Sequence, residues 1–315
     1  MKWLRRLVIG LGALVLLVIA ALLIAAWVYR DTPAAVLEAR YTTPASRFLN
    51  IDGVRMHYRD EGNGPPIVLI HANFGSLLSW DSWAEALKAR HRVLRFDMTG
   101  HGLTGPDPSG DYSLERTVQL TERFVDALGL KQFTIGGTSL GGTVAMHYAA
   151  AHPDRVDHLI LLSPGVLEGR AMQRSGRTEL PRVANILEYI TPRSLAAYML
   201  KSRFGDPSKV TDQLIDRWYD MWLREGQRPA MLARLRSYSS TDLEQVATAI
   251  RAPALILWGA RNPQAPVEQA GQLRRMLVNA SSVKVITYPG VGHMALDEAG
   301  STMVPDVIAW LDDGT

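Results

Sequence analysis

The 315-residue chain contains no cysteine. Disulfides, thiolate nucleophiles and zinc–thiolate sites are thereby excluded, while the redox compartment stays open. An excess of one charge is also missing. The formal charge is +3, but Lys2, Arg5, Arg6 and Arg30 flank an apolar N-terminal run, and without those four, thirty basic residues face 31 acidic ones. Nucleic acid is therefore not implied as a partner. Internal repeats and low-complexity tracts are missing, and 47% hydrophobic with 21% charged residues excludes a disordered chain. No G-x-x-x-x-G-K phosphate loop or dinucleotide fingerprint occurs, and no His/Asp/Glu cluster has metal spacing. Neither a cofactor nor a metal is expected.

What is present begins with Leu7–Tyr29, 23 residues without a charge. At about 1.5 Å rise per residue, this run can cross a hydrocarbon core of roughly 30 Å. Trp27 and Tyr29 stand at its far end, where amphipathic rings favour the interface. A cleaved signal peptide would have a shorter apolar region of about 7–15 residues and an A-x-A-like site after it. The run is longer than that and carries no literal A-x-A, so it reads as an uncleaved anchor. Lys2, Arg5 and Arg6 cluster before it, which favours a cytoplasmic N-terminus and a body on the outer or periplasmic side.

Residues 31–46, with Pro33 and Pro44, read as a linker between the anchor (1–30) and the body. Phe48–Ile51 and Val54–Tyr58 flank Asp52-Gly53, a strong hairpin signal. Short apolar strands then alternate with helices: Ile67–Ile70, Trp80–Ala89, Val93–Phe96, Ser113–Leu128, Phe133–Ile135, Leu140–Ala151 and His158–Leu162. The alternation resumes with Ala254–Trp258, a helix near Val267–Leu277, Val283–Thr287 and a last helix around Met303–Leu311. Continuous apolar strands between helices imply a mostly parallel α/β sheet covered on both faces. The strand signal disappears across residues 165–250, which read as a helical cap inserted between two parts of the core, 47–164 and 251–315. Such insertions lie over the carboxyl ends of the strands, where ligands bind.

The chemistry is expected at those strand ends. Gly137-Thr138-Ser139-Leu140-Gly141 sets a serine between a strand and a helix in the spacing G-x-S-x-G. A sharp strand-to-helix turn projects the hydroxyl out of the sheet, and the glycines let neighbouring backbones approach. Serine needs a base to take its proton. With such a turn the chain order is serine, acid, histidine, which leaves His147, His152, His158 and His293. The first three lie on the helix after the serine or begin the next strand. His293 lies in a loop after Val283–Thr287, at the same end of the sheet as Ser139, and is the expected general base. An acid belongs just past Ala254–Trp258, yet the sequence there is Gly259-Ala260-Arg261-Asn262-Pro263. Asn262 stands at the acid position.

Gly137–Gly141, Asp97-Met98-Thr99-Gly100-His101-Gly102 and Gly292-His293 together resemble the α/β-hydrolase superfamily over nearly all of 48–312, and most nearly its capped esterase, monoacylglycerol-lipase, haloperoxidase and dehalogenase branch. The resemblance implies an oxyanion hole from the backbone N–H groups of Asn73 and of Leu140. The matching turn is His71-Ala72-Asn73, where Ala72 replaces the usual glycine. Dehalogenase chemistry uses an aspartate nucleophile and is excluded by Ser139. Asp97 reads as a loop-fixing acid, and His71 and His101 as turn braces.

Asn262 leaves three readings open. One is a Ser–His dyad with a weakly oriented imidazole; another is a substitute carboxylate from Glu168, Glu268 or Asp297; the last is an altered, partly inactivated site. The expectation is a membrane-anchored serine hydrolase that cleaves a lipophilic carboxylic ester through an acyl-enzyme. A non-catalytic ligand binder and a cofactor-free perhydrolase or haloperoxidase use the same pocket and are the rivals.

Overall fold

A computed structural model of the chain describes residues 2–165, 180–237 and 243–313. Asp52 and Gly53 both take positive φ, 51° and 81°, the mirror-image turn whose twist matches paired strands. It joins β1 (Ser46–Ile51) to β2 (Val54–Glu61) in antiparallel register, Ile51 opposite Val54. β3 (Pro66–Ile70), β4 (Arg92–Phe96), β5 (Phe133–Thr138), β6 (Val156–Leu162), β7 (Ala254–Gly259) and β8 (Val283–Tyr288) follow. The eight strands form one sheet in the order β1-β2-β4-β3-β5-β6-β7-β8. β2 runs antiparallel to β4, and every later pairing is parallel. Every residue of β5 and β7 is buried, which is why β7 reads as an unbroken apolar run rather than as alternation.

The helices are α1 (Lys2–Val28), α2 (Ala34–Tyr41), α3 (Asp81–Leu87), α4 (Leu114–Ala127), α5 (Leu140–Ala151), α6 (Arg193–Lys201), α7 (Asp212–Trp222), α8 (Gln227–Ser237), α9 (Leu243–Ala249), α10 (Glu268–Met276) and α11 (Ala295–Asp313). Local chemistry sets their ends. The Ser113 hydroxyl accepts the Arg116 N–H at 3.2 Å to cap α4. At its other end Gly129, at φ 68°, lets the Leu130 N–H return to Val125 O at 3.0 Å. Leu120, Phe124, Val144 and Leu273 cover one face of the sheet, and Trp83, Met303 and Val307 cover the other.

Two elements differ from the sequence reading. The segment expected as a linker carries α2, because Leu37 is fully buried among Leu77, Leu78, Leu103 and Met221. Eight residues offer too little periodicity to announce that helix. The last helix begins at Ala295 rather than near Met303, and non-helical backbone at Ala299 (φ −150°) breaks it after its first turn. That break hides its period in the sequence.

The described part of the inserted region is helical: a 3₁₀ segment (Arg182–Glu188), then α6, α7, α8 and α9. Its apolar side gathers Leu200, Phe204, Ile215, Trp218 and Trp222 against Met294, the residue after His293. The Trp222 indole N–H donates to Phe74 O at 2.9 Å. The cap is thus seated over the carboxyl ends of β3 and β8.

Candidate active site

Ser139 joins β5 to α5 at φ 49° and ψ −121°, a left-handed conformation that costs of order 1–3 kcal/mol for a residue with a Cβ. The surroundings impose it. Its N–H donates to Leu162 O at 3.1 Å, and its carbonyl accepts from Gly165 N at 3.1 Å. A Cβ at Gly137 would lie 2.1 Å from Gly141 O, and one at Gly141 would lie 2.2 Å from Ile70 O. The two flanking glycines are therefore steric necessities of the turn.

His293 is buried in the loop after β8, and its Nε2 lies 3.0 Å from Ser139 Oγ. Two contacts fix that loop from outside. The His293 N–H donates to Arg203 O of the cap at 2.7 Å, and the Glu298 carboxylate accepts the N–H groups of Gly292 (2.7 Å), Gly205 (2.9 Å) and Asp206 (2.8 Å). Sequence reasoning missed Arg203 and Glu298. An acid five residues past the histidine was the available signal, but nothing in the sequence announced a carboxylate spent on backbone amides.

Asn262, buried after β7, reaches the other ring nitrogen: its Nδ2 stands 3.0 Å from His293 Nδ1. Which amide atom faces the ring is decided by Oδ1, which accepts the N–H groups of Gln264 and Ala265, both at 3.0 Å. A backbone N–H can only donate, so Nδ2 must be the atom that donates to the imidazole. His293 Nδ1 then accepts, the ring proton sits on Nε2, and Nε2–H donates to Ser139. That is the tautomer opposite to the one a general base requires. Burial, seconded by the Arg203 charge, pushes the imidazole down to about 4, so it is neutral near pH 7.

Of the substitute carboxylates considered above, the two that are described do not fill the gap. Asp297 accepts from Ser79 Oγ at 3.1 Å and from Arg217 at 2.6 Å. Glu268 is exposed in the first turn of α10. Glu168 lies outside the described residues. Both ring nitrogens of His293 are engaged by Asn262 and Ser139.

Asn73 lies in the turn after β3, where its Oδ1 accepts from Phe74 N at 3.1 Å. Leu140 is the first residue of α5, so its N–H is one of those a helix leaves without an internal partner. Ala72 does not need glycine's freedom, because the left-handed residue of this turn is Phe74, at φ 66°. The two loop histidines brace backbone. His71 Nδ1 donates to Ala72 O at 2.7 Å while its Nε2 accepts from Met98 N at 3.0 Å. His101 Nδ1 donates to Thr99 O at 3.0 Å, with its other nitrogen 3.0 Å from Asn73 Oδ1. Asp97 accepts from Leu77 N, Leu103 N and His57 Nδ1 at 2.7, 2.9 and 2.7 Å. Burial, the largest single influence, would raise its carboxyl; the hydrogen bond and charge of His57, the nearby His71 and the Leu77 N–H together outweigh that and hold it below the usual range. Gly102 is required there, since a Cβ would sit 2.1 Å from Asp97 Cγ. His152 and His158 point elsewhere, toward Glu122 at 3.4 Å and the Trp310 ring at 5.2 Å. Among the described residues no three His, Asp or Glu side chains form a metal site.

A mostly parallel sheet with this strand order, a strained serine at the β5–α5 turn and a histidine after the last strand define a hydrolase-type architecture. The family model described as alpha/beta hydrolase fold matches residues 65–300, and the chain belongs to that family. It is 25% identical over 244 residues to a pimeloyl-[acyl-carrier protein] methyl ester esterase of Nitrosomonas europaea, covering 76% of this chain and 92% of that one. A cis-3-alkyl-4-alkyloxetan-2-one decarboxylase of Shewanella oneidensis is 36% identical over 121 residues, a match that spans only 38% of each chain. The crystal structure of a membrane phospholipase A, a bacterial virulence factor, superposes with a TM-score of 0.74 at 22% identity and covers 98% of this chain and 99% of its own. At that identity the likeness is one of fold.

Proposed function

We propose that the chain is a membrane-anchored serine hydrolase acting on a carboxylic ester of a lipophilic substrate. The observation that carries this reading is the strained Ser139 with its Oγ 3.0 Å from His293 Nε2. Ser139 Oγ attacks the ester carbonyl, His293 Nε2 takes its proton, and the backbone N–H groups of Asn73 and Leu140 receive the oxyanion. The imidazolium then protonates the departing alcohol, and water repeats the sequence on the acyl-enzyme. Trp218, Trp222 and Phe204 of the cap supply apolar walls suited to a lipophilic acyl or alcohol group. The exposed, apolar α1, with mean hydropathy 3.2, supports the anchor, with the N-terminus on the cytoplasmic side and the body outside.

Asn262 makes this a slow hydrolase. Catalysis needs a lone pair on Nε2, hence a proton on Nδ1, which would confront the Asn262 N–H₂ donor. Leaving buried donors face to face costs about 1–3 kcal/mol. The imidazolium intermediate also lacks a neighbouring negative charge, and in the serine-protease template the Asp-to-Asn change costs about 10⁴ in turnover. The same contact favours a second reading, a ligand binder that keeps the pocket with little turnover. A fluorophosphonate probe separates them: covalent labelling lost in Ser139→Ala supports the enzyme, and an unlabelled wild-type chain supports the binder.

A further inference from the structure

The end of the apolar run is not a free tether. Asp31 accepts from Arg228 of α8 at 2.6 Å, the Thr32 N–H donates to Leu223 O at 2.6 Å, and Thr32 O accepts from Glu225 N at 2.9 Å. Three steps along the chain lead from Tyr29 to Thr32, a reach of at most about 11 Å. A bilayer holding α1 therefore lies within that distance of the junction between α7 and α8. α2 reinforces the clasp, with Tyr41 OH donating to Asp220 at 2.6 Å. The cap cannot swing away from the membrane without breaking these contacts.

The 3₁₀ segment Arg182–Glu188 lies beside this clasp. One turn of α7 before Leu223, the Tyr219 hydroxyl donates to Thr191 O at 2.8 Å, and the Thr191 hydroxyl donates to Leu187 O at 2.5 Å. At its middle Asn185 accepts from Arg236 of α8, the helix whose first turn holds Asp31. Arg228 to Arg236 is eight residues, about 12 Å of helix. Positions three apart eclipse one another in a 3₁₀ helix, so Val183 and Ile186 share one face, and Tyr189, the residue that caps the segment with its N–H on Ile186 O at 3.0 Å, extends it into a ridge. They are 72%, 53% and 68% exposed. Isolated exposed apolar residues carry no meaning, but three in register, two of them aliphatic, at the point where the chain leaves a span, are a surface continuous with that span.

We infer that Val183, Ile186 and Tyr189 are a second membrane contact, inserted shallowly into the same bilayer that holds α1. This inference rests on the anchor reading above. It commits the cap to the lipid surface and fixes the side from which a lipophilic ester reaches the site. Aromatic and aliphatic groups of a surface-lying element bury about 5–10 Å into the boundary between headgroups and acyl chains.

The absence of cysteine allows a direct test in the full chain. Single variants Val183→Cys, Ile186→Cys and Tyr189→Cys are labelled with an environment-sensitive fluorophore and reconstituted into phosphatidylcholine vesicles containing nitroxide lipids. Leu16→Cys within α1 reports the anchor. Lys131→Cys, exposed just before β5 and so at the amino ends of the parallel strands, opposite the end that carries the cap, is the aqueous control. Blue-shifted emission and strong quenching by shallow nitroxides at the ridge, absent at Lys131, is the expected result. Ridge probes that are quenched only by aqueous iodide while Leu16→Cys is quenched by lipid would overturn the inference and leave the anchor standing. If Leu16→Cys also stays aqueous, the anchor and the ridge contact both fall. The ridge positions are exposed, so the substitutions should leave the fold intact; three independent variants guard against one that does not.

Discussion

The two loops that meet at His293 show how shape and charge come apart. On one side, the turn at Ser139 is over-determined: Gly137 and Gly141 admit no side chain, and two backbone hydrogen bonds hold the strained serine. On the other, Asn262 occupies its place with equal order, buried and hydrogen-bonded through both amide atoms. Its oxygen is held by backbone amides in a way a carboxylate oxygen could match. What has changed is that the second atom donates where an acid would accept. Packing and hydrogen-bond counts do not register that difference; only the direction of one proton does.

The comparison breaks most decisively at the serine. Ser139→Ala should abolish ester hydrolysis and probe labelling while leaving the fold intact, a loss on the order of 10⁶ where the base is fully effective and smaller here. Unchanged turnover of a p-nitrophenyl ester would remove Ser139 from the chemistry.

Next in size, Asn262→Asp should raise turnover by up to about 10³–10⁴, because the carboxylate accepts Nδ1–H and stabilises the imidazolium. Its oxygen can still accept from Gln264 and Ala265. No gain in steady-state rate or labelling rate would mean that His293 is not the limiting base.

The pH dependence sharpens the same contrast. A neutral imidazole is the base, so activity falls as pH drops through its pKa. With His293 pushed down to about 4, the wild-type rate should stay level from pH 7 down to pH 5. In Asn262→Asp the new carboxylate favours the charged ring, and the acid limb of kcat/KM should move upward, into that window. Coincident limbs in the two proteins would contradict the assigned contact.

A smaller effect is expected at Glu298→Gln, which replaces one of the oxygens that hold Gly292, Gly205 and Asp206 by a donor. An amide N–H left unpaired costs about 1–3 kcal/mol, and the variant should melt earlier and show a lower kcat. Urea unfolding indistinguishable from wild type would show that the loop is held by other contacts. Leu37→Ala, with its side chain fully buried, should cost about 2–5 kcal/mol by the same measurement.

Much of this protein was legible in the order of its residues. The hairpin at Asp52-Gly53, the alternation of apolar strands with helices, the start of α5 at Leu140 and the pairing of Ser139 with His293 follow from local rules: turn chemistry, periodicity and the chain order of a strained serine and its base. These signals are local because each depends on a few neighbouring side chains and backbone angles. The boundaries of α2 and α11 were not legible. Leu37 becomes a core residue only because Leu77, Leu103 and Met221 arrive from distant parts of the chain, and α11 is interrupted at Ala299. The site divides in the same way. The sequence placed an asparagine at the acid position, but whether it helps or opposes His293 depends on which atom faces the ring. That was decided by the N–H groups of Gln264 and Ala265, which hold Oδ1 and turn Nδ2 toward the imidazole. Asp297 and Glu298, close to the histidine along the chain, were drawn by tertiary contacts to Ser79, Arg217, Gly205 and Gly292 instead. The order of residues set which groups were available, and the folded geometry set the direction of each hydrogen bond, because a proton's position depends on every neighbour that competes for it.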